Sequence, residues 1–387
     1  MINQVARFGI FCFLLLSMFS CNQNEKTANE AIEEIRAEYA PDKRVALWDV
    51  KMEGGELTGE TNLPLALQEL EESLSAKEIR FENSVVLLPE ADLDGKEFAI
   101  VTISVANIRS QPRHSAELST QAIMGTPLNV LKKQGSWYLV QTPDRYLSWV
   151  DSGGIQLMNK AEFDEWNEAE KIIYTGLVGY IYETANSNEK ISDLAAGNIL
   201  RKISENSNSV EVALPDGRTG FVKKQDIHSL KDWVTNINPV PEKLIETAKS
   251  MMGVPYLWGG TSVKGMDCSG FTKTVYFLNG RVIPRDASQQ IHEGEFVDSE
   301  KNWDNLEVGD LLFFGRPATE DQPERVIHVG MWIGNDQFIH ASGRIRVSSF
   351  DEESPLFDQY NLNRYLRTKR ILKEPSENVL PVGQVVM

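Results

Sequence analysis

Apolar residues recur at helical spacing in a few stretches and alternate with polar ones in short runs over most of the remaining chain. Leu65, Leu67, Leu70 and Leu74 predict a helix over 64–74, with Pro64 at its first position. Ile32 and Ile35 among charged neighbours predict a short helix over 31–39, preceded by a polar tether at 22–29. Residues 45–50 read as a strand, and Gly54, Gly55 and Gly59 punctuate a hairpin that ends near Thr61. Leu244, Ile245, Ala248 and Met252 predict a helix over 242–252, stopped by Gly253. Phe271, Val275 and Leu278 fall at i, i+4 and i+7, so a further helix begins near Ser269-Gly270 and holds Cys268 in its first turn.

Between 98 and 156 the runs 99–101, 128–131, 137–140 and 146–150 are strand-like, separated by turns rich in Gly, Pro, Asp and Asn. That spacing predicts a small barrel. A weaker copy of the pattern runs from about Ile172 to Ile227, joined to the first by a helix-like stretch at 160–171. Pro239 and Pro241 mark a linker. Beyond it come the two helices above and strands at 310–314, 328–333, 338–340 and 365–372, which is an α+β pattern. The segment 315–325, rich in Pro and charge, reads as a solvated loop, with a lid as the alternative. The fold class is therefore multidomain, with two small all-β barrels followed by an α+β domain.

Charge changes the picture of partners. The 387 residues carry 56 acidic against 39 basic side chains, a net charge of -17. Such a balance argues against nucleic acid and against direct docking on an anionic membrane. Arg7 precedes an apolar run at 8–19, too short to span a bilayer, which ends at Ser20-Cys21 before polar Asn22-Gln23-Asn24. Residues 1–21 thus read as a lipoprotein signal peptide, with Cys21 the lipidated residue and a membrane contact only through that anchor. Met18 stands where such signals more often carry Leu, and an ordinary secretory signal is the competing reading. Of three cysteines, Cys12 and Cys21 fall in this segment, so Cys268 is a lone thiol in an exported chain, which marks it as reactive.

A thiol in the first turn of a helix feels positive charge that favours thiolate. A base comes from two strands, 328–333 and 337–341, joined by Gly334-Asn335-Asp336. With a three-residue turn His340 lies opposite Gly330 and diagonal to His328 on the same face; a one-residue slip separates them. Cys268 as nucleophile, His328 as base and His340 as orienter form a coherent triad. The histidines lack metal-ligand spacing, so neither a metal nor a cofactor is expected.

The residues Pro255-Tyr256-Leu257-Trp258-Gly259-Gly260, Asp267-Cys268-Ser269-Gly270-Phe271, Pro284-Arg285-Asp286, Gly309-Asp310-Leu311, His328-Val329-Gly330 and His340-Ala341 occur in an order that resembles the NlpC/P60 cysteine peptidases, whose core is papain-like. Asn107 to Pro112, Gly125, Trp137 and Trp149-Val150 resemble a bacterial SH3 (SH3b) domain. The whole chain is similar to the γ-D-glutamyl-L-diamino acid endopeptidases, of the dipeptidyl-peptidase VI type. The organisation this implies is a signal at 1–21, a tether and small α/β region at 22–95, SH3b domains at 96–159 and 160–235 (the second with its linker helix), the catalytic domain at 240–374 and a tail at 375–387.

The resemblance implies cleavage of the γ-D-Glu–diamino acid bond in peptidoglycan stem peptides with a free N-terminal L-Ala, in a monomeric enzyme anchored in the cell envelope, on its periplasmic side. It places Tyr256 near the oxyanion and assigns the substrate ammonium to Asp267, Ser269 and an acidic SH3b residue, for which Glu117 is the candidate. Trp258, Asp286 and Ser288 are further candidates for substrate contact, and Tyr138 or Tyr146 supplies an SH3b phenol. Asp267 beside a thiolate would raise the thiol pKa unless a cation neutralised it, and a bound ammonium would do so. Arg285 suits a substrate carboxylate or pairs with Asp286. The rival readings are a non-catalytic wall-binding lipoprotein and an amidase or acyltransferase of other specificity.

Overall fold

The structure, a computed structural model, describes residues 23–372 and 376–387. The expected signal segment and Cys21 lie outside the described residues. The chain divides into two compact units, one ending at Gly95 and including Arg145–Leu147, the other made of Lys96–Asp144 and Ser148–Met387.

In the first unit, residues 23–39 are helical, so most of the stretch read as a tether is structured. The reason is one turn further back than the expected helix start: Ala28, Ala31, Ile32 and Ile35 form one apolar stripe, buried with Leu57, Leu70 and Leu74. The hairpin strands Trp48–Glu53 and Glu56–Thr61 and the helix Pro64–Ala76 complete this unit.

The second unit begins with two seven-stranded sheets of matching design. The first contains Phe98–Val101, Val105–Arg109 and Leu118–Ile123; the second contains Lys171–Tyr174, Ile199–Glu205 and Ser209–Ala213. Each curls around its own apolar interior, and Met124 of the first packs into the core of the second.

The α+β domain starts with helix α1 (Pro241–Ser250) and helix α2 (Cys268–Leu278). A short helix α3 (Ala287–Gln290) follows. Six antiparallel strands then form a sheet: β1 (Glu295–Asp298), β2 (Leu311–Arg316), β3 (Arg325–Gly334), β4 (Gln337–Ser342), β5 (Arg344–Ser349) and β6 (Tyr365–Arg370), in the order β1-β6-β2-β3-β4-β5. A one-turn helix α4 (Gln359–Asn363) leads into β6. Alternation splits the strands between two cores. Phe313, Val329, Met331 and Ile339 pack with Phe271 and Val275 of α2. Leu312, Phe314, Trp332, Phe338, Phe350 and Tyr365 form an aromatic layer.

Residues 376–387, expected to be a tail, are packed instead. Arg281 and Val282 pair with Pro381 and Leu380, and Val382 and Val386 are buried with Ile173, Leu230 and Val282. The apolar residues Leu380, Val382 and Val386 explain this, since left in water they would expose a hydrophobic face.

Candidate active site

The site is assembled where α2, β3 and the first barrel meet. Asp267 caps α2, its Oδ1 accepting from the Gly270 N–H at 2.7 Å, so the helix opens at Cys268 itself, one residue earlier than expected. Asp267 Oδ2 also accepts from the Gly259 N–H at 2.9 Å and thereby ties the aromatic loop to the helix start. Two glycines are required by close approach. A Cβ at Gly270 would lie 2.0 Å from the Gly260 oxygen. One at Gly259, where φ is +80°, would lie 2.1 Å from the Leu118 oxygen of the first barrel.

The cation beside Asp267 is Arg285. This guanidinium is 1% exposed and donates Nη2 to Asp267 Oδ2 at 2.6 Å, Nη1 to Asp267 Oδ1 at 3.1 Å, and Nη1 to Ser269 Oγ at 3.0 Å. Its Nε reaches Thr120 Oγ1 of the first barrel at 3.2 Å. Arg285 thus takes Asp267 as its main carboxylate, with Asp286 4.0 Å away. The argument that Asp267 needs a substrate ammonium for charge balance is corrected accordingly: the protein supplies the balancing charge.

His328 and His340 lie on one face. The β3–β4 turn has two residues, Asn335 and Asp336, both at positive φ, rather than the three expected. A register shift between Trp332 and Gly334 absorbs the difference, and Met331 then pairs with Ile339. Parity is kept, and His328 Nε2 lies 2.7 Å from His340 Nδ1. His340 Nε2 lies 3.0 Å from Ser348 Oγ on β5. The rings pack beside Phe314 and Phe338.

Cys268 is 5% exposed, close to the backbone N–H groups of Val329, the residue after His328, and of Ser269. Burial pushes the lone thiol up to about 12 and Asp267 adds to this, while those N–H groups and Arg285 pull back. Burial likewise drives His328 well below its ordinary value and His340 down to about 4. The expectation that the helix terminus alone favours thiolate is therefore corrected, because desolvation outweighs it.

Tyr256 is half-buried, and burial, Cys268 and Asp267 all raise its pKa, so the phenol keeps its proton and remains a donor. Trp258 is 61% exposed and donates Nε1–H to Glu117 Oε1 of the first barrel at 2.6 Å. Gln121 fastens the same junction: its Oε1 accepts from the Thr261 N–H at 3.0 Å and from Ser262 Oγ at 2.9 Å. Asp286 stands at the N-cap of α3, and Ser288 lies within that helix. Gln290 of α3 is fully buried and donates to the Ser269 and Pro284 oxygens. Gln290, Gln121 and Ser348 escaped the sequence reading, since no spacing rule links them to Cys268. Ser348 alone had a signal: it follows His340 by eight residues across a further turn, which keeps it on the same face.

The NlpC/P60 family pattern matches residues 253–369, and the bacterial SH3 domain pattern matches residues 104–156. The chain is 32% identical to a gamma-D-glutamyl-L-lysine dipeptidyl-peptidase of Bacillus cereus over 66% of its length and 76% of that protein's. It is 31% identical to dipeptidyl-peptidase 6 of Lysinibacillus sphaericus, covering 94% of that protein. The chain belongs to the NlpC/P60 family. A crystal structure of an NlpC/P60 family protein from Bacillus cereus superposes with a TM-score of 0.59 at 26% identity, over 71% of this chain and 99% of that one. This NlpC/P60 protein is a cysteine peptidase, a peptidoglycan hydrolase with a bacterial SH3 domain ahead of its catalytic domain.

Proposed function

We propose that this NlpC/P60 enzyme hydrolyses the γ-D-Glu–diamino acid bond of peptidoglycan stem peptides that carry a free N-terminal L-Ala, and releases L-Ala-γ-D-Glu. Cys268 Sγ attacks the γ-carbonyl carbon as its proton passes to His328. The oxyanion is met by the Cys268 N–H and the Tyr256 phenol. His328 returns the proton to the leaving amine of the diamino acid, a thioester remains, and water hydrolyses it to free the γ-carboxylate and the thiol. His340 keeps the His328 ring aligned. Lipidation at Cys21 would hold the enzyme in the cell envelope.

The observation that carries the substrate reading is the Glu117 carboxylate on the exposed Trp258, presented by the first barrel to the loop that leads into Cys268. With the Ser269 hydroxyl this makes a polar end wall, acidic through Glu117, suited to a substrate ammonium. Asp267, paired with Arg285, adds no free negative charge to it, and Ser269 is held by the same guanidinium. The relatives named above bear the corresponding dipeptidyl-peptidase activity in their names. Incubation with L-Ala-γ-D-Glu-L-Lys and mass spectrometry of the products tests this. The wild type yields the dipeptide and lysine, and Cys268→Ala yields neither. Cleavage that survives Cys268→Ala would remove the proposal.

A further inference from the structure

We propose that Arg364 and Arg346 form a cationic subsite for the carboxylate of the leaving diamino acid, so that the enzyme prefers stem peptides ending at that residue. The inference rests on the reading that Cys268 cleaves the γ-D-Glu–diamino acid bond.

Backbone register puts the two arginines on either side of the histidine pair. Arg346 on β5 stands directly opposite His340 on β4 and shares its face. On the other side, Phe314 of β2 pairs both with His328 of β3 and with Tyr365 of β6. Arg364 immediately precedes Tyr365, and its carbonyl accepts from the Gly315 N–H at 2.7 Å. Across the sheet the order is therefore Arg364, Phe314, His328, His340, Arg346. Neighbouring strands lie about 4.8 Å apart, a gap that an arginine side chain spans.

Neither guanidinium is closely neutralised. Arg364 donates Nε and Nη2 to Asn361 Oδ1 at 3.0 and 2.7 Å, and Nη1 to the Tyr360 hydroxyl at 3.3 Å, and these partners are uncharged. It keeps further N–H donors unused among the described residues. Its Cζ lies 4.1 Å from the centroid of the Tyr360 ring, which is 69% exposed. Stacking of this kind fixes the plane of the guanidinium and leaves its edge to meet a planar carboxylate. Arg346 Nη2 stands 4.0 Å from Asp358 Oδ2, while its buried Nε has no hydrogen-bond partner among the described residues. The oxygens of Asp358 are themselves engaged by the Asn361 N–H at 3.0 Å and Nδ2 at 2.7 Å. Electrostatics agree with this placement. Burial lowers His328 and His340 most, and both arginines add to it; burial also lowers Arg364, with Cys268 among the groups that pull it back.

The reaction says which carboxylate is met. His328 hands its proton to the leaving nitrogen, and the carbon that bears this nitrogen also bears the carboxylate when the peptide ends there. Cations flanking His328 meet that group, while Glu117 at the other end suits the ammonium. A further residue turns the carboxylate into an amide and removes the charge. The α-carboxylate of D-Glu has the same chemistry, so the test separates the two.

The full-length enzyme is assayed on L-Ala-γ-D-Glu-L-Lys, on the same peptide ending in lysinamide, and on the peptide with D-isoglutamine in place of D-Glu. The wild type should favour the acid over the lysinamide about 30-fold in kcat/KM, mainly through KM, and lose less than about threefold with isoglutamine. In Arg364→Gln and Arg346→Gln the acid-to-lysinamide ratio should fall below about five. Arg364→Lys, which keeps the charge, should retain more of it than Arg364→Gln. Each ratio is taken within one variant, so a general loss of activity cancels. The subsite is overturned if the wild type cleaves acid and lysinamide equally, or if both Gln variants keep the wild-type ratio. It is also overturned if isoglutamine costs more than lysinamide, which would assign the cations to D-Glu. A wild type that cleaves none of the three removes the bond assignment, and the subsite with it.

Discussion

Cys268, His328 and His340 are all buried, and each carries charge reluctantly on its own. This has a consequence for stability. His340 titrates near 6.5 when unfolded and at about 4 in the fold, so the folded state binds fewer protons between those values. Its contribution is complete above pH 6.5 and is lost as the pH falls towards 4, by up to about 3 kcal/mol. His328 acts in the same direction. Urea midpoints should therefore fall between pH 7 and pH 4.5, and fall less in His340→Asn; identical slopes would contradict the assignment. At this scale the sequence was informative about identity and silent about environment. Cys268 and the two histidines were legible from spacing, parity and family likeness. The depth of burial that reverses the expected thiol shift was not, because it depends on residues such as Val329 and Met331 arriving from β3.

At the scale of elements, the start of α2 depends on an ion pair that no local pattern announces. Asp267 and Arg285 lie eighteen residues apart, both almost wholly buried, and the carboxylate serves the helix cap and the aromatic loop together. Removing the cation strands a buried charge. Arg285→Met should cost about 3–5 kcal/mol in chemical denaturation, and adding Asp267→Asn, which still caps the helix, should recover most of it. Equal losses in the single and double variants would show that the pair is not coupled. The β3–β4 hairpin shows the complementary case. Its turn length was misread by one residue, yet the face of His340 was right, because the register shift at Ile333 restored the parity on which the pattern depends. The helix over 23–39 was shortened in the sequence reading because alanines such as Ala28 carry a weak apolar signal.

In the larger unit, the first barrel packs against the loop that leads to Cys268. Glu117, Leu118 and Gln121 reach the loop that leads to Cys268, and Thr120 meets Arg285, which holds the helix start. The alternation of short strands revealed a barrel, but a pattern within one domain carries no record of which edge another domain will cover. Gly259→Ala should force the loop from Leu118 and raise KM for the tripeptide about 10-fold or more, with less effect on Cys268 alkylation, since a misplaced wall harms binding before it harms the thiol. An unchanged KM would mean that the wall is not part of the substrate site. The most direct test of the whole account is a competition between L-Ala-γ-D-Glu-L-Lys and its N-acetylated form, followed by product mass. The account predicts that the free amine is preferred at least about 100-fold. Equal cleavage of the two would contradict it.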